Sequence, residues 1–284
     1  MEFSKYLPVD FCNWFKTYSD TASDITVCRN ENIFISVNAA LIESQCFITD
    51  KEFDVIVGKL CNGSLYANQN TLRKGYLTLN GGHRIGMTGT LSRNENGLTF
   101  LRDITAFNIR ISRNIPDAAK NIEPYIRCGR DVFNTLIIAP PSAGKTTALK
   151  DIAIKLGQSM RVGVVDERGE FDGIKKNGSH IFIIKGASKH EGILSLLRSM
   201  SPQVIITDEI GTENDEIAIF KLLNAGVKII CSAHGYDEND VMRREIFKSL
   251  IQSHAFERLV VMSRKEGPCS VDKIINTQEM DKIG

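Results

Sequence analysis

The chain has 284 residues, of which 42% are hydrophobic and 24% charged, and its net charge is +1. This length suits two domains with separate cores, and the near-neutral charge gives no global attraction to nucleic acid or to an anionic membrane. The chain has no apolar run near the ~18 residues of a membrane-spanning helix, no secretory signal and no CxxC pair among its seven cysteines, which predicts free thiols in a reducing cytoplasm.

The first half of the chain mixes helix and strand signals. Thr49 and Glu52 form a capping-box pattern ahead of an apolar stripe, which predicts a helix from this point. Gly81-Gly82 separates two strand-like runs and predicts a hairpin. Two further apolar runs, 98–101 and 107–111, extend the sheet to which that hairpin belongs.

The pattern predicts two domains. We interpret residues 1–115 as a smaller α+β domain, residues 116–129 as a linker punctuated by proline and glycine, and residues 130–284 as the second domain. In the second domain, apolar strand candidates alternate with helical stretches, which predicts a mostly parallel sheet covered on both faces. The strand candidates are 135–139, 161–166, 180–185, 203–208, 228–232, 258–263 and 271–275.

The most informative stretch is LIIAPPSAGKTTAL, residues 136–149, which has the order strand, phosphate loop, helix. Small residues let backbone N–H groups point at phosphates, and the N-terminus of the following helix adds a positive dipole end. In this motif Lys145 reaches the β- and γ-phosphates of ATP, and the Thr146 hydroxyl is a ligand of Mg²⁺. The nucleotide-binding candidates are Pro141, Ser142, Ala143, Gly144, Lys145, Thr146 and Thr147.

A second motif supports the first. Residues 204–209, VIITDE, form an apolar strand that ends in two carboxylates. We expect Asp208 to hold Mg²⁺ and Glu209 to polarise the attacking water as a catalytic carboxylate, with Lys145 as the catalytic cation. The alternative is a buried strand followed by an acidic turn, and the order of the two motifs favours the ATPase.

Further polar residues also follow predicted strands. Asp166 and Glu167 end one strand, and His234 follows another. Because ligands bind at the carboxyl ends of parallel strands, we expect these side chains to converge with the phosphate loop and Asp208 at one site.

Seven blocks of the sequence resemble the stage III sporulation protein AA family, ATPases of endospore-forming bacteria that are similar to the secretion and type IV pilus ATPases. The blocks follow the family order from Ser64 to near the C-terminus. They are SLYANQNTLRKGYLTLNGGHRIGMTGTL, LRDITAFNIRISR, NTLIIAPPSAGKTTALKDIA, RVGVVDERGEF, VIITDEIG, NAGVKIICSAHG and AFERLVVMSRKEGP.

The resemblance implies a RecA-like P-loop NTPase core with a mostly parallel sheet behind a smaller N-terminal α+β domain. It implies Mg²⁺-dependent hydrolysis of ATP to ADP and phosphate, and a ring oligomer, expected to be a hexamer, with ATP at the subunit interfaces. The family is expected to work in the cytoplasm, peripheral to the inner face of the cell membrane. There it powers assembly or transport through a secretion-like channel, with membrane-protein components of the same sporulation stage as partners.

The resemblance implies roles for residues in two of these blocks. VVDERGE resembles the acidic box of the secretion ATPases, in which an acid orients water or Mg²⁺. This makes Glu167 a further catalytic candidate, and Arg168 could neutralise phosphate charge. Ser232–Gly235 resembles the histidine box, in which His234 could sense the γ-phosphate. A charged turn and a structural histidine are the respective alternatives.

The chain also departs from the expected patterns. Ser142 stands where the family loop has glycine, and Ala139 stands where the usual phosphate-loop pattern opens with glycine. Both residues carry a Cβ, so they restrict the backbone conformations that glycine would allow at these positions. An arginine brought to the γ-phosphate is a common device of such enzymes. Arg84, Arg110 and Arg113 are open candidates for it, and the role of the Gly81–Arg84 block is open as well.

Three other functions are considered: a nucleotide-binding assembly switch with little hydrolysis, a nucleic-acid-translocating motor on the same core, and a small-molecule kinase. The intact Asp208–Glu209 pair disfavours the first. The near-neutral charge disfavours the second, so no nucleic-acid partner is expected. The third needs an arginine-rich lid segment, which does not follow the phosphate loop.

Overall fold

The computed structural model describes residues 2–38, 40–61, 77–79, 81–93, 99–171, 173–174 and 179–280. The start of the first family block, from Ser64, therefore lies outside the described residues. The chain divides into two compact units, unit 1 from Met1 to Arg113 and unit 2 from Asn114 to Gly284. None of the described helices is long and apolar enough to cross a membrane.

Unit 1 combines short helices with an antiparallel sheet. Its α-helices are α1 (Val9–Phe15) and α2 (Asp50–Leu60), and its 3-10 turns are Glu2–Lys5 and Lys16–Tyr18. Its strands are β1 (Ala22–Cys28), β2 (Glu31–Val37), β3 (Ala40–Ile48), β4 (Leu77–Thr78), β5 (Arg84–Arg93) and β6 (Thr99–Arg110). They form one sheet in the order β3-β2-β1-β6-β5-β4, with every neighbouring pair antiparallel.

The core of unit 1 follows from strand alternation. Ile25 in β1 and Ile35 in β2 are fully buried on one face of the sheet, as expected when side chains alternate between the two faces. Phe11 from α1 and Phe53 from α2 belong to the same apolar cluster. The two helices therefore cover one face of the antiparallel sheet.

The capping-box prediction for α2 is confirmed. The Thr49 hydroxyl accepts from the Glu52 amide, and the Glu52 carboxylate accepts from the Thr49 amide. By contrast, the two runs predicted as separate strands, 98–101 and 107–111, share one strand, β6, which contains residues 99–101 and 107–110. Leu98 lies outside the described residues. A register shift opposite Thr88–Thr90 and the left-handed backbone of Asp103 break the alternation of β6, which explains the split pattern.

The Gly81–Arg84 block is explained by local structure. Gly81 and Gly82 have φ of 91° and 79°, which glycine adopts at little cost, and they form the turn between β4 and β5. His83 is buried against the Phe3 ring, and its Nδ1 accepts from the Ser112 amide at 3.1 Å. The histidine thus ties the hairpin to the chain that follows β6.

Unit 2 alternates strands and helices. Its helices are α3 (Glu123–Ile126), α4 (Lys145–Leu156), α5 (Lys189–Ser199), α6 (Glu213–Asn224), α7 (Glu238–Met242), α8 (Glu245–Gln252) and α9 (Thr277–Met280). Its strands are β7 (Arg127–Cys128), β8 (Asp131–Val132), β9 (Thr135–Ala139), β10 (Val162–Asp166), β11 (Ile181–Lys185), β12 (Val204–Thr207), β13 (Lys228–His234), β14 (Arg258–Ser263) and β15 (Ser270–Asn276).

Seven of these strands form the main sheet of unit 2. Their order is β11-β10-β12-β13-β9-β14-β15, and all neighbours are parallel except β15, which pairs antiparallel with β14. Strands β9, β10 and β12 are buried along their whole length, because apolar clusters lie on both faces of the sheet. The predicted mostly parallel sheet, covered on both faces, is confirmed.

The segment predicted as a linker, 116–129, lies within unit 2. Ala119, Ile122 and Ile126 are fully buried in the same apolar cluster as α4. The Asp151 carboxylate accepts from the Asp117 and Ala119 amides. Buried apolar side chains and a carboxylate bound to backbone amides therefore hold this segment on the core of unit 2.

Candidate functional site

Four neighbouring strands of the main sheet end at one edge. They lie in the order β10-β12-β13-β9 and run parallel, so the chain that follows each strand emerges on the same side. These strand ends surround a cleft of about 540 Å³, called the cleft below. Its predicted lining comprises residues 141–142 and 144–147 of the phosphate loop with Arg168, Asp208, Glu209 and His234. Four further lining residues were not predicted as site residues: Ile115, Glu170, Ser232 and Pro268.

The phosphate loop depends on two residues in the left-handed region. Gly144 has φ of 92°, and a Cβ built on it would lie 2.5 Å from Cys269 Sγ, so both backbone and space require glycine here. Ser142 has φ of 60°, an uncommon conformation for a residue with a Cβ. Ala139 ends β9 in regular pairing with His234, so the missing glycine there has no conformational consequence.

The loop is supported from behind. Ala143 is fully buried rather than facing the cleft, and its carbonyl accepts from the Cys269 amide at 2.9 Å. The Cys269 thiol itself is buried, and burial raises its pKa. This cysteine is therefore a packing residue behind Gly144, not a reactive thiol.

Lys145 is folded back onto its own loop. Its Nζ donates to the Ala139 carbonyl at 2.9 Å and to the Pro140 carbonyl at 3.1 Å. Burial lowers the pKa of Lys145, while the Glu209 and Glu170 carboxylates oppose that effect. The ammonium group is thus held at the mouth of the loop by weak neutral acceptors that a charged phosphate oxygen could replace.

Thr146 contacts a carboxylate that sequence analysis missed. Its hydroxyl donates to Glu170 Oε2 at 2.7 Å, and Thr147 lines the cleft beside it. Glu170 follows β10 by four residues, so it is not at the strand end where we expected an acid. The block RVGVVDERGEF contains this second glutamate, and its position in that block was the available signal.

Asp208 is a buried carboxylate that lacks full compensation. It is 4% exposed, and its Oδ1 has no hydrogen-bond partner among the described residues. Burial and the nearby Glu170 raise its pKa to about 6 from an ordinary 3.8, while Lys189 and Arg168 act in the opposite direction. A buried oxygen without a partner is costly, and a cation is the ligand that such an atom would bind.

Glu209 is paired with an arginine of the same cleft. Its Oε2 lies 2.6 Å from Arg168 Nη1, and its amide donates to Ser232 Oγ at 3.0 Å. Burial alone would lower the pKa of Arg168, but the carboxylates of Glu209, Asp208 and Glu170 stabilise its charged form, so the net effect is a raised pKa. The two acids that follow β12 thus differ, because one is buried without a partner and the other is solvated and paired.

Glu167 lies apart from the cleft. Its carboxylate is 2.6 Å from the Nζ of Lys189, at the start of α5. Asp166 is fully buried, and its carboxylate accepts from the amides of Glu170 and Phe171. Of the predicted acidic box, the structure brings Arg168 into the cleft, whereas the two acids before it hold the turn.

His234 lines the cleft at the end of β13. Its backbone carbonyl accepts from the Arg244 guanidinium, which anchors the strand end. His234 therefore shares the lining of the cleft with Lys145 and Glu209.

The residues of the cleft suit a magnesium-bound triphosphate. The unpartnered oxygen of Asp208 and the Thr146 hydroxyl are oxygen ligands of the kind that Mg²⁺ uses when phosphates and water complete its shell. Among the described residues, no group of three or more His, Cys, Asp or Glu side chains forms an all-protein metal site.

Comparison with known families places the chain among sporulation proteins. The model of the family "Sporulation stage III, protein AA" matches residues 24–281. Stage III sporulation protein AA of Bacillus subtilis (strain 168) is 39% identical over 239 residues, which cover 80% of this chain and 77% of that protein.

Solved structures of secretion and pilus ATPases share the fold. The ATPase DotB of Yersinia pseudotuberculosis aligns over 94% of this chain and 78% of its own, with a TM-score of 0.62 and 16% identity. The pilus retraction motor PilT with bound ADP aligns over 90% of this chain and 78% of its own, with a TM-score of 0.63 and 12% identity. The predicted RecA-like core behind a smaller N-terminal domain is confirmed.

Proposed function

The chain belongs to the sporulation stage III protein AA family, and from that premise we propose that it is a Mg²⁺-dependent ATPase. It hydrolyses ATP to ADP and phosphate in the cleft of unit 2. The observation that carries this proposal is the convergence on one cleft of the phosphate loop, the unpartnered Asp208 carboxylate and the Glu209 carboxylate. The ATPase fold alone would not supply these side chains.

Phosphate binding is assigned to the loop. The amides of residues 142–147 and the N-terminus of α4 receive the phosphate oxygens, because they present donors and a positive dipole end. Lys145 exchanges the Ala139 and Pro140 carbonyls for phosphate oxygens, and its charge stabilises the transferred phosphoryl group. Asp208 and the Thr146 hydroxyl would hold Mg²⁺, which when bound neutralises charge on the phosphates.

Water activation is assigned to Glu209. Its carboxylate is partly exposed in the cleft and can accept a hydrogen bond from the attacking water once Arg168 turns to phosphate. The further acid that we predicted, Glu167, is bound to Lys189, so we assign the supporting role to Glu170, which already reaches Thr146. Arg168 and His234 then contact the γ-phosphate side.

Two substitutions test the activity. Lys145→Ala should abolish ATP turnover and weaken ATP binding, whereas Glu209→Gln should lower kcat at least about a hundredfold and leave ATP binding intact. Turnover is measured as phosphate release, and binding is measured with a fluorescent ATP analogue. If both variants hydrolyse ATP at the rate of the unsubstituted protein, the assignment is wrong.

The proposed cellular role is inferred by analogy with the family. We assign the ATPase to a ring oligomer, a hexamer, at the inner face of the cell membrane, where it powers assembly or transport through a secretion-like channel with membrane-protein components of the same sporulation stage. Mass measurement with and without ATP tests the ring. Failure of Glu209→Gln to support spore formation, despite normal protein level, tests the need for hydrolysis.

One observation favours a second candidate, a nucleotide-dependent assembly switch with little hydrolysis. Glu209 is bound to Arg168 and Thr146 to Glu170, so two of the groups assigned to hydrolysis are held by other side chains of the cleft. A switch would change mass on ATP binding but release almost no phosphate, even with its membrane partners present. The ATPase proposal predicts phosphate release under the same conditions.

A further inference from the structure

The acidic turn, residues 166–171, presents only part of its charge to the cleft. Arg168 and Glu170 line the cleft, while the carboxylate of Glu167 points to Lys189 instead. Gly169 lies between the two lining residues with φ of 72°, which allows the chain to reverse sharply there. The direction of each side chain therefore depends on how firmly the turn is held.

The second half of the turn is fixed by its own backbone. The buried Asp166 carboxylate accepts from the Glu170 amide at 2.7 Å and from the Phe171 amide at 3.0 Å. Phe171 is fully buried in the apolar cluster of the sheet. These contacts hold the chain after Gly169 but leave Glu167 and Arg168 without a backbone anchor among the described residues.

The first half of the turn is held by Lys189. Its Nζ lies 2.6 Å from Glu167 Oε2, and the side chain is 7% exposed. Lys189 is the first residue of α5, directly after the N-cap Ser188. A cation there opposes the helix dipole, and burial of an ammonium group adds a desolvation penalty. A lysine at this place is locally unfavourable on both counts, and its ion pair with Glu167 is the compensating contact.

We propose that Lys189 is a positioning residue for the reaction in the cleft, because through Glu167 it fixes the acidic turn so that Arg168 faces Glu209. The inference rests on the proposed ATPase function. Lys189 itself does not line the cleft. Its charge also favours the ionised form of Asp208, and the Glu167→Gln variant separates the two effects because it keeps that charge and removes only the contact with the turn.

Lys189→Met is the informative variant. Methionine has a similar length and a good helix propensity, so α5 and its capping box should persist. Glu167 is 40% exposed and can be solvated when its partner is lost. We therefore expect a folded protein with an unaltered melting temperature, within a few degrees, and a turn that is no longer fixed.

The experiment compares five variants with the unsubstituted protein: Lys189→Met, Lys189→Arg, Glu167→Gln, the Lys189→Met/Glu167→Gln double variant and Lys221→Met. Lys221 is an exposed lysine of α6 and serves as the matched control. We expect Lys189→Met and Glu167→Gln each to lower kcat about tenfold or more with KM for ATP changed less than about threefold. The double variant should be no worse than either single one, Lys189→Arg should recover part of the rate, and Lys221→Met should change nothing.

A second readout does not depend on hydrolysis. The side-chain NMR resonance of Arg168, whose guanidinium is paired with Glu209, should shift or broaden in Lys189→Met and stay unchanged in Lys221→Met. An unchanged Arg168 resonance, an unaltered kcat or multiplying losses in the double variant would overturn the positioning role. Absent turnover in every protein, with an altered Arg168 resonance in Lys189→Met, would instead refute the ATPase proposal and retain the anchoring of the turn.

Discussion

Arg168 and Glu209 are joined at 2.6 Å in a cleft that contains no other arginine among its described lining residues. Both side chains are partly exposed, at 49% and 32%, so the pair contributes at most about 1 kcal/mol to stability. The pair matters because a bound triphosphate would compete with Glu209 for the Arg168 guanidinium. ATP binding would thereby free the carboxylate that we assign to water.

The first prediction concerns Arg168. Arg168→Ala should weaken ATP binding about tenfold and ADP binding less, because the lost charge-assisted contact is to the γ-phosphate side. The ATP affinity of Arg168→Lys should lie between those of Arg168→Ala and the unsubstituted protein, since lysine keeps the charge but lacks the planar guanidinium. Dissociation constants for the two nucleotides check this. Equal weakening for ATP and ADP would place Arg168 elsewhere, and unaltered constants would remove it from the nucleotide site.

The second prediction concerns Asp208 in metal-free protein. Its pKa is raised in the folded state, so between about pH 4 and pH 6 the folded protein binds more protons than the unfolded one, and stability falls as pH rises through this window. Above about pH 6 the full cost of the buried charge is present. Asp208→Asn should therefore raise the free energy of unfolding by on the order of 2 kcal/mol at pH 8.

That gain should shrink as the pH is lowered, because the carboxyl group of the folded protein is then already neutral. Urea denaturation in EDTA at pH 8 and at pH 4.5 measures both values. A gain of equal size at the two pH values would show that the substitution acts through packing or hydrogen bonding instead of charge. The same variant should lose Mg²⁺-dependent nucleotide binding.

Most of unit 2 could be predicted from sequence for one physical reason. Strands buried on both faces must be continuous apolar runs, and 135–139 and 258–263 coincide with β9 and β14. The parallel arrangement then brings the strand ends together, so the loop, Asp208–Glu209 and His234 were expected in one place. The sequence pattern thus predicts both the sheet and most of the residues that line the cleft.

Unit 1 was harder because two of its strands have a weak hydrophobic pattern. The edge strand β3, Ala40–Ile48, buries only Ser44 and Ile48, and it was not predicted. The interior strand β1 contains Asp24 beside the buried Ile25 and was also missed. The assignment of β1 depends on pairing with β6, which is distant in sequence and lies outside any local window.

The cleft shows a similar limit. Spacing identified which residues follow a strand, but not which of several adjacent polar side chains turns inward. Glu167 and Glu170 are three residues apart, and only the reversal at Gly169 decides that the second lines the cleft. Direction within a turn is set by contacts such as Lys189 with Glu167, which come from another element.

The third prediction uses Ser142, which stands where the family loop has glycine. With φ of 60° and an exposed side chain, the position tests backbone strain without a packing change. Ser142→Val should destabilise unit 2 by about 1–2 kcal/mol, because a β-branched residue fits the left-handed region poorly. Ser142→Gly should be neutral or stabilising. Thermal melting of Ser142→Val, Ser142→Gly and the unsubstituted protein measures their order of stability. A valine variant as stable as the glycine variant would contradict the left-handed backbone conformation at this position.

The fourth prediction concerns Arg113 and Arg110, two of the three arginines that sequence left open. Arg113 is half-buried, and its guanidinium donates to the Ser19 carbonyl, at 2.9 Å from Nη2, and to the Ala22 carbonyl. Arg113→Ala should lower the free energy of unfolding of unit 1 by about 2 kcal/mol, because two partly buried carbonyls lose a charged donor. ATP turnover per folded molecule should be unchanged.

Arg110 is 73% exposed and lies 3.7 Å from Asp24, so Arg110→Ala is the matched variant, whose stability should change by less than about 0.5 kcal/mol. If Arg113→Ala instead lost turnover at full stability, the arginine would belong to the reaction and not to the fold of unit 1.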